Sequence, residues 1–503
     1  MSVYYRPQFT CGTFNKEAVT ALMYNTANGT CHYFEGISAV LVRELLSCHR
    51  EHQVNTARIA ELTDTTVEQV EEFLSVQLMP IGLIHDHIYT DAEWQQYHQD
   101  NLPSINSVGY EPERNYVESL PPKHRVAIQL ELTYACSERC LHCYNEGAAR
   151  SDLNEENRIS PNMLKLEEYK RMIDEIVELG IPSVTVTGGD PFSYPDCWAL
   201  LDYLHEKNVA VNLFTNALAL NTPEKVRRIA RLGLRQFSVS IYSSEATVHD
   251  QITRREGSWQ KTTNALREMS KWPVPLNVKT PAFRLNSRTY YGVRELCHEL
   301  CAETQLSGLL QQGIDGDVSI IEELMTRPDA YRIMVMDTRM DASVVKQEGK
   351  PDGYEFGKSR GIPCSAARLI NINPSGIAKP CSNLPLIFGN MHKDSLKQVM
   401  ENELRDKLVN GDQRVMMPAC GKHDYCSYCP MPCFVGQPIS RTADGLPVFE
   451  KPSATTCDAA KIRMEVGRML LQGIDPLGGK TIEECFAALP VEQVPVFRKK
   501  IVD

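Results

Sequence analysis

Cys136-Ser137-Glu138-Arg139-Cys140-Leu141-His142-Cys143 brings three thiols onto one short loop at the spacing C-x3-C-x2-C. The loop follows a strand-like run, Val126 to Thr133. Three thiolates so placed can hold three corners of a cubane 4Fe–4S cluster, leaving one iron open to a further molecule. Structural zinc asks for four ligands in a closed site. His142 is the imidazole at hand, and it sits between two of the cysteines. A zinc loop, or three structural thiols, is the alternative for the motif taken alone.

Downstream of the loop, strands and helices alternate. Ser160-Pro161 reads as an N-cap and first-turn pair opening a helix to Leu179, and Gly180 ends it. Ser183-Val184-Thr185-Val186-Thr187 is the next strand, followed by Asn208 to Thr215, Gln236 to Ile241 and Leu276 to Thr280. The alternation predicts an α/β fold: a parallel sheet of β-α units over residues 125–313, open or closed into a partial barrel.

The cysteine loop after the first strand resembles the signature of the radical S-adenosylmethionine (SAM) superfamily, which implies a partial (β/α)6 barrel. In that family SAM chelates the open iron, and one electron cleaves it to methionine and a 5′-deoxyadenosyl radical. His142 stands where the family usually has an aromatic residue near the adenine. Gly188-Gly189-Asp190-Pro191 resembles the family's Gly-Gly-Glu-Pro motif, with Asp190 one methylene shorter. The resemblance implies that exposed backbone at these glycines meets the SAM amino group. Thr215-Asn216 is like the family's threonine–asparagine turn, and Ser240 would contact the SAM ribose. Asn277-Val278-Lys279-Thr280-Pro281 resembles the matching strand of peptide-modifying members, which makes Lys279 the catalytic candidate.

The chain has 17 cysteines, and ten fall into two groups. The second group is Cys364, Cys381, Cys420, Cys426, Cys429, Cys433 and Cys457. With Ile372-Asn373-Pro374-Ser375-Gly376, Gly389-Asn390-Met391 and Ser395-Leu396, it resembles the SPASM domain, over residues 364–460. The internal spacing here, C-x5-C-x2-C-x3-C, departs from the usual C-x2-C-x5-C-x3-C. The resemblance implies two auxiliary 4Fe–4S clusters. Seven thiolates are one short of two full sets, so one closed cluster is expected from Cys420, Cys426, Cys429 and Cys457. Cys364, Cys381 and Cys433 would hold the other, its fourth iron open or otherwise bound. Structural zinc is the alternative. Cys11, Cys31, Cys48, Cys197, Cys297, Cys301 and Cys485 read as small buried hydrophobes.

Residues 1–105 read as a separate winged helix-turn-helix domain. Ala18 to Tyr24 and Thr30 to Phe34 form a hairpin, and helices cover Ile37 to Cys48 and Thr56 to Leu62. A third helix opens with a capping box from Thr65 to Glu68, and Ile81 to Ile84 with His87 to Thr90 form the wing. The third helix carries Glu68, Glu71 and Glu72, unfavourable for phosphate contact. The domain resembles the peptide-recognition element of ribosomal-peptide maturases, in which a leader peptide adds a strand beside a helix. A structural or dimerisation domain is the alternative. Residues 106–124 read as a proline-rich linker, 314–363 as a bridge and 461–503 as a helical tail.

The whole chain has 503 residues, 42% hydrophobic and 23% charged, enough to bury sizeable cores. Its net charge of −11, with no long basic run, disfavours a nucleic-acid partner. Met1-Ser2-Val3-Tyr4-Tyr5-Arg6-Pro7 lacks a signal-peptide pattern, and no run approaches the ~18 apolar residues of a membrane span. The expectation is a cytoplasmic protein without a membrane partner. The combined resemblance implies a maturase that takes a hydrogen atom from a ribosomally synthesised precursor peptide, giving a thioether or carbon–carbon crosslink. An external donor such as flavodoxin or ferredoxin would supply electrons. A peptide epimerase and a maturase of a peptide-derived redox cofactor are enzymatic alternatives. Anaerobic sulfatase maturases carry an aspartate where this chain has Ser382, which counts against that reading. A non-enzymatic iron–sulfur or zinc regulator on DNA is disfavoured by the acidic third helix.

Overall fold

The computed structural model describes residues 3–105, 110–145, 162–307, 356–357, 360–366, 368–429 and 432–480, with positions 310, 313 and 484. Three antiparallel strands open the chain: β1 (Thr10–Asn15), β2 (Thr20–Asn25) and β3 (Thr30–Glu35). The β2–β3 turn is made by Asn25 and Asn28, whose side-chain oxygens accept the Ala27 and Thr30 N–H groups, both at 3.1 Å. Helix α1 (Gly36–Ser47) buries Ala39, Leu41, Val42, Leu45 and Leu46. Helices α2 (Thr56–Thr63) and α3 (Val67–Glu72) follow. The capping box on α3 is Thr66 with Gln69, one residue later than the sequence reading.

The expected wing is not formed. Residues 81–90 are turns and bends, joined to the N-terminus by reciprocal backbone bonds between Tyr5 and His85 (2.8 and 3.0 Å). The sheet lies ahead of the helices, and β1, a strand the sequence reading missed, pairs along its whole length with β2. Helix α4 (Asp91–Ile105) comes next. Part of the segment read as a linker is helix α5 (Tyr110–Ser119). Pro112 lies in its first turn, where a missing N–H is harmless. Tyr116 packs with Leu120 against β2, and its hydroxyl donates to the Gly180 carbonyl at 2.8 Å.

Six parallel strands then alternate with helices. The strands are β4 (Ala127–Glu131), β5 (Ser183–Thr187), β6 (Ala210–Thr215), β7 (Gln236–Ser240), β8 (Leu276–Pro281) and β9 (Glu303–Ser307). The helices are α6 (Leu166–Glu178), α7 (Cys197–Glu206), α8 (Pro223–Ala230), α9 (Ala246–Thr253), α10 (Ser258–Met269) and α11 (Val293–Glu299). Ser160 and Pro161 lie outside the described residues. Helix α6 starts later than expected, where the Glu168 carboxylate accepts the Lys165 N–H at 2.8 Å.

Past residue 368 the chain re-enters the sheet. Strand β10 (Leu369–Ile372) adds parallel to β4, and β11 (Ile377–Lys379) and β12 (Gly389–Asn390) extend it antiparallel. Helices α12 (Leu396–Met400), α13 (Glu403–Asn410) and α14 (Gln413–Met416) follow. A hairpin of β13 (Ile439–Arg441) and β14 (Pro447–Phe449) precedes the last described helix, α15 (Ala454–Leu471).

Alternation decides the faces of this sheet. Ile128, Leu130, Val184, Val186, Val211, Leu213, Phe237, Val239, Leu276 and Val278 belong to one buried core. Each such side chain contributes roughly 1.5–3 kcal/mol by burial, and a one-residue slip would turn all of them over, so register is fixed. The intervening residues form a polar inner face: Gln129, Glu131, Thr185, Asn212, Ser238, Ser240, Asn277 and Lys279. Arg231 ties the N-terminal region to the β-α region, donating to Glu51 at 2.8 Å and to Asp91 at 2.7 Å.

Candidate active site

The cysteine loop leaves the C-terminal end of β4, the end where parallel β-α folds assemble their sites. Two partners pin it. On one side, Gly189 N–H donates to the Thr133 carbonyl at 2.6 Å and Asp190 N–H to the Ala135 carbonyl at 2.9 Å. On the other, Arg139 and Leu141 N–H groups donate to Thr253 and Ile252 at the end of α9, both at 2.9 Å. The glycines serve this approach. Gly188 has φ +143°, and a Cβ on Gly188 or Gly189 would overlap the Thr133, Tyr134 or Ala135 backbone.

The three thiols share one neighbourhood. Burial pushes the Cys140 thiol up, and the charges of Glu138, Cys143 and Cys136 push it further. Asn216 donates its side-chain N–H to Cys136 Sγ (3.5 Å) and Ser137 Oγ (3.1 Å). The Tyr242 hydroxyl lies 3.6 Å from Cys140 Sγ. His142 packs edge-on to Tyr242 at 4.6 Å and against Phe283 at 5.0 Å. Burial lowers its pKa to about 4, so the ring is neutral, and its Nδ1 is buried without a partner.

Asp190 is 2% exposed and fully engaged. Its carboxylate accepts from Phe192 N–H (2.9 Å), Thr215 Oγ1 (2.7 Å) and Asn216 N–H (2.9 Å). It therefore clasps the glycine turn after β5 to the Thr215-Asn216 turn after β6. Ser240 closes β7 opposite Lys279 on β8. Lys279 places its ammonium over the Phe214 ring at 3.1 Å, and burial lowers its pKa to about 8.

The later cysteines sort by which thiolates raise one another. Burial raises Cys420, with added charge from Cys426, Cys429 and Cys457. Burial likewise raises Cys364, with added charge from Cys381 and Cys433. A cavity of about 380 Å³ is lined by Cys420, Cys426, Cys429 and Cys457. The donor sets suit polynuclear iron–sulfur groups: soft sulfur ligands, three or four together, with a chamber beside one set. Among the described residues no group of three or more His, Cys, Asp or Glu is placed to hold a metal ion. Cys11, Cys31, Cys197 and Cys297 are buried, Cys48 and Cys301 half-buried, and Cys485 lies outside the described residues.

One cluster escaped the sequence reading. Glu131, 1% exposed on the inner face, accepts from Ser382 Oγ at 2.7 Å and from the Tyr134 hydroxyl at 3.3 Å. Gln129 donates to Asn371 at 2.8 Å and to Ser382 Oγ at 3.4 Å. The signal was present: polar Gln129 and Glu131 at alternate positions of a strand whose Ile128 and Leu130 are buried.

The radical SAM superfamily model matches residues 130–279. The AdoMet-dependent heme synthase of Methanosarcina barkeri is 26% identical, over 60% of this chain and 89% of that protein. The PqqA peptide cyclase of Rhodopseudomonas palustris is 25% identical, over 52% and 69%. The antilisterial bacteriocin subtilosin biosynthesis protein AlbA of Bacillus subtilis is 23% identical, over 59% and 66%. No helix among the described residues is long and apolar enough to cross a membrane. Residues 130–279 of this chain are a radical SAM domain, and the chain is an enzyme of oxidoreductase type.

Proposed function

We propose that this chain oxidises a ribosomally synthesised precursor peptide, forming a thioether or carbon–carbon crosslink. The observation that carries this is three mutually coupled thiols on the loop that leaves the C-terminal end of β4, in a chain that carries two further groups of coupled cysteines. The likeness to a peptide cyclase and a bacteriocin biosynthesis protein supports a peptide substrate. Cys136, Cys140 and Cys143 would hold the SAM-binding 4Fe–4S cluster. Cys420, Cys426, Cys429 and Cys457 would hold one auxiliary cluster, and Cys364, Cys381 and Cys433 the other. When bound, the first cluster and SAM supply a 5′-deoxyadenosyl radical.

The chain's own residues position and shield. Asn216 orients Cys136 by its hydrogen bond, and neutral His142 offers a flat face toward an adenine. Gly188, Gly189, Asp190, Thr215 and Ser240 complete the SAM side, Asp190 by holding two turns together. The N-terminal region would bind the leader of the peptide, its sheet and helices offering strand addition. A flavodoxin or ferredoxin would deliver electrons, in the cytoplasm. Epimerisation, which leaves the peptide's oxidation level unchanged, and redox-cofactor maturation are the enzymatic alternatives to it. A second reading, a step in heme synthesis, is favoured by the relative matched over 89% of its length.

Mass spectrometry of an anaerobic reaction tests the proposal. The reconstituted enzyme is given SAM, reductant and synthetic candidate precursor peptides, taken from any short reading frame encoded beside it. A peptide lighter by two hydrogens, with 5′-deoxyadenosine formed, is the expected result. Unchanged mass with deuterium gained from heavy water means epimerisation. 5′-Deoxyadenosine with an unmodified peptide rejects the peptide and leaves the heme reading.

A further inference from the structure

We propose that a cavity in the N-terminal region, between the β2–β3 turn, the segment after α3 and helix α4, binds an arginine or lysine side chain of the precursor peptide, away from the residues that react. The choice of a peptide as occupant rests on the reading above. The cavity holds about 470 Å³, a volume in the usual range of ligand pockets. Asn28, Ile81, His85, Asp86, Tyr89 and Tyr97 line it. It opens at a turn and not along a strand edge, so strand addition would leave it free.

Its wall is aromatic. The rings of His85 and Tyr89 lie 4.2 Å apart, and those of Tyr89 and Tyr97 6.4 Å apart. Trp94, 2% exposed, backs all three, at 5.6, 4.8 and 5.7 Å. The buried indole stiffens the wall, while Tyr89 and Tyr97 are half-buried and reach solvent. Aromatic rings carry a negative face that attracts a cation. Burial lowers the His85 pKa to about 4, so the wall itself holds no competing charge.

Its rim is acidic. Asp86 is exposed, His87 holds its Oδ1 at 2.6 Å, and its Oδ2 has no partner among the described residues. The chain shows which charge this rim favours. His87 packs on Tyr89 at 4.8 Å and meets Asp86 and Glu93 at 2.6 and 3.4 Å, and the hydrogen bond to Asp86 raises its pKa. The same sign holds across the region. Residues 1–105 carry 13 Asp and Glu against five Lys and Arg, a net of −8 within the chain's −11. A surface of one sign draws a partner of the other. A guanidinium suits both features, its flat face on a tyrosine and its N–H groups on a carboxylate.

Helix α4 is fastened to the β-α region. Asp91 in its first turn accepts from Arg231 at 2.7 Å, and His98 bonds to the Ser270 carbonyl at 2.8 Å. A peptide held in the cavity is thereby held on the enzyme.

The test is equilibrium dialysis of the full-length reconstituted chain against a tritiated, end-blocked Gly-Gly-Arg-Gly-Gly peptide. Saturable binding with a Kd of about 1 mM is expected of one stacked, ion-paired side chain, weakening as salt rises. Norleucine or glutamate in place of arginine should bind about tenfold more weakly. Asp86→Asn combined with Tyr89→Leu should weaken the arginine peptide about tenfold, whereas Tyr89→Phe, which keeps the ring, should not. His87→Gln removes the competing imidazole and should tighten binding about twofold, a gain that a damaged fold would not give. With any precursor peptide that the wild type modifies, the double variant should raise KM and leave kcat unchanged. Equal binding of the arginine and norleucine peptides, or equal binding by wild type and double variant, overturns the proposal. So does an unchanged KM. A wild type that binds the arginine peptide selectively and modifies no peptide upholds the cavity's preference for a basic side chain and fails the peptide reading alone.

Discussion

Asp190→Asn should weaken the barrel measurably without unfolding it. The carboxylate accepts three hydrogen bonds at 2.9, 2.7 and 2.9 Å from Phe192 N–H, Thr215 Oγ1 and Asn216 N–H. Asparagine keeps one oxygen and turns an NH2 toward the remaining donors. The Thr215 hydroxyl can rotate to accept from it, but the Asn216 N–H cannot. A buried donor then faces a donor, at a cost of about 1–3 kcal/mol. An opposing effect reduces this. Burial raises the Asp190 carboxyl, so the ionised form carries a desolvation penalty that asparagine lacks.

The sign with pH follows. A raised folded pKa means the folded chain holds its proton more tightly than the unfolded chain. That stabilisation is full below the unfolded value of ~3.9 and is lost as pH rises through the folded value. At neutral pH the wild type has lost it, so the net difference is about 1–2 kcal/mol. For a domain of 150–250 residues this lowers Tm by roughly 2–8 °C. The gap should widen as pH is lowered, because only the wild type gains. Thermal melts of the metal-free chain at two pH values measure it. A Tm within about 1 °C of wild type, or a gap that narrows on acidification, would refute the reasoning. Asn216 also bonds to Cys136, so the reconstituted variant should retain less iron.

Other outcomes are as definite. Cys140→Ala should abolish SAM cleavage, whereas Cys429→Ala should spare some of it and lose peptide modification; equal loss in both rejects that division. Gly189→Ala must displace the Tyr134–Ala135 backbone, and should cost about 1–3 kcal/mol in a denaturant titration. Arg231→Ala removes the paired contacts to Glu51 and Asp91 and should cost about 1–3 kcal/mol, seen as faster proteolysis between the N-terminal region and the barrel.

The sequence by itself determined what is local. Strand period, helix period and the spacing of three thiols are written within a few residues, so the β-α alternation after Val126 and the cysteine loop were legible without coordinates. Local signals also misled. Pro112 suggested a linker, yet it occupies a helix's first turn and Tyr116 buries the helix against β2. Residues 81–90 had strand composition yet form turns and bends, held to the N-terminus by the Tyr5–His85 pair rather than added to the β1–β2–β3 sheet. Only the tertiary structure decided that Asp190 spends its carboxylate on two turns. It alone set β10 beside β4, and so brought Ser382 to Glu131. Such contacts join residues far apart in the chain. They depend on which strands pair and which faces pack, and no window of sequence contains that information.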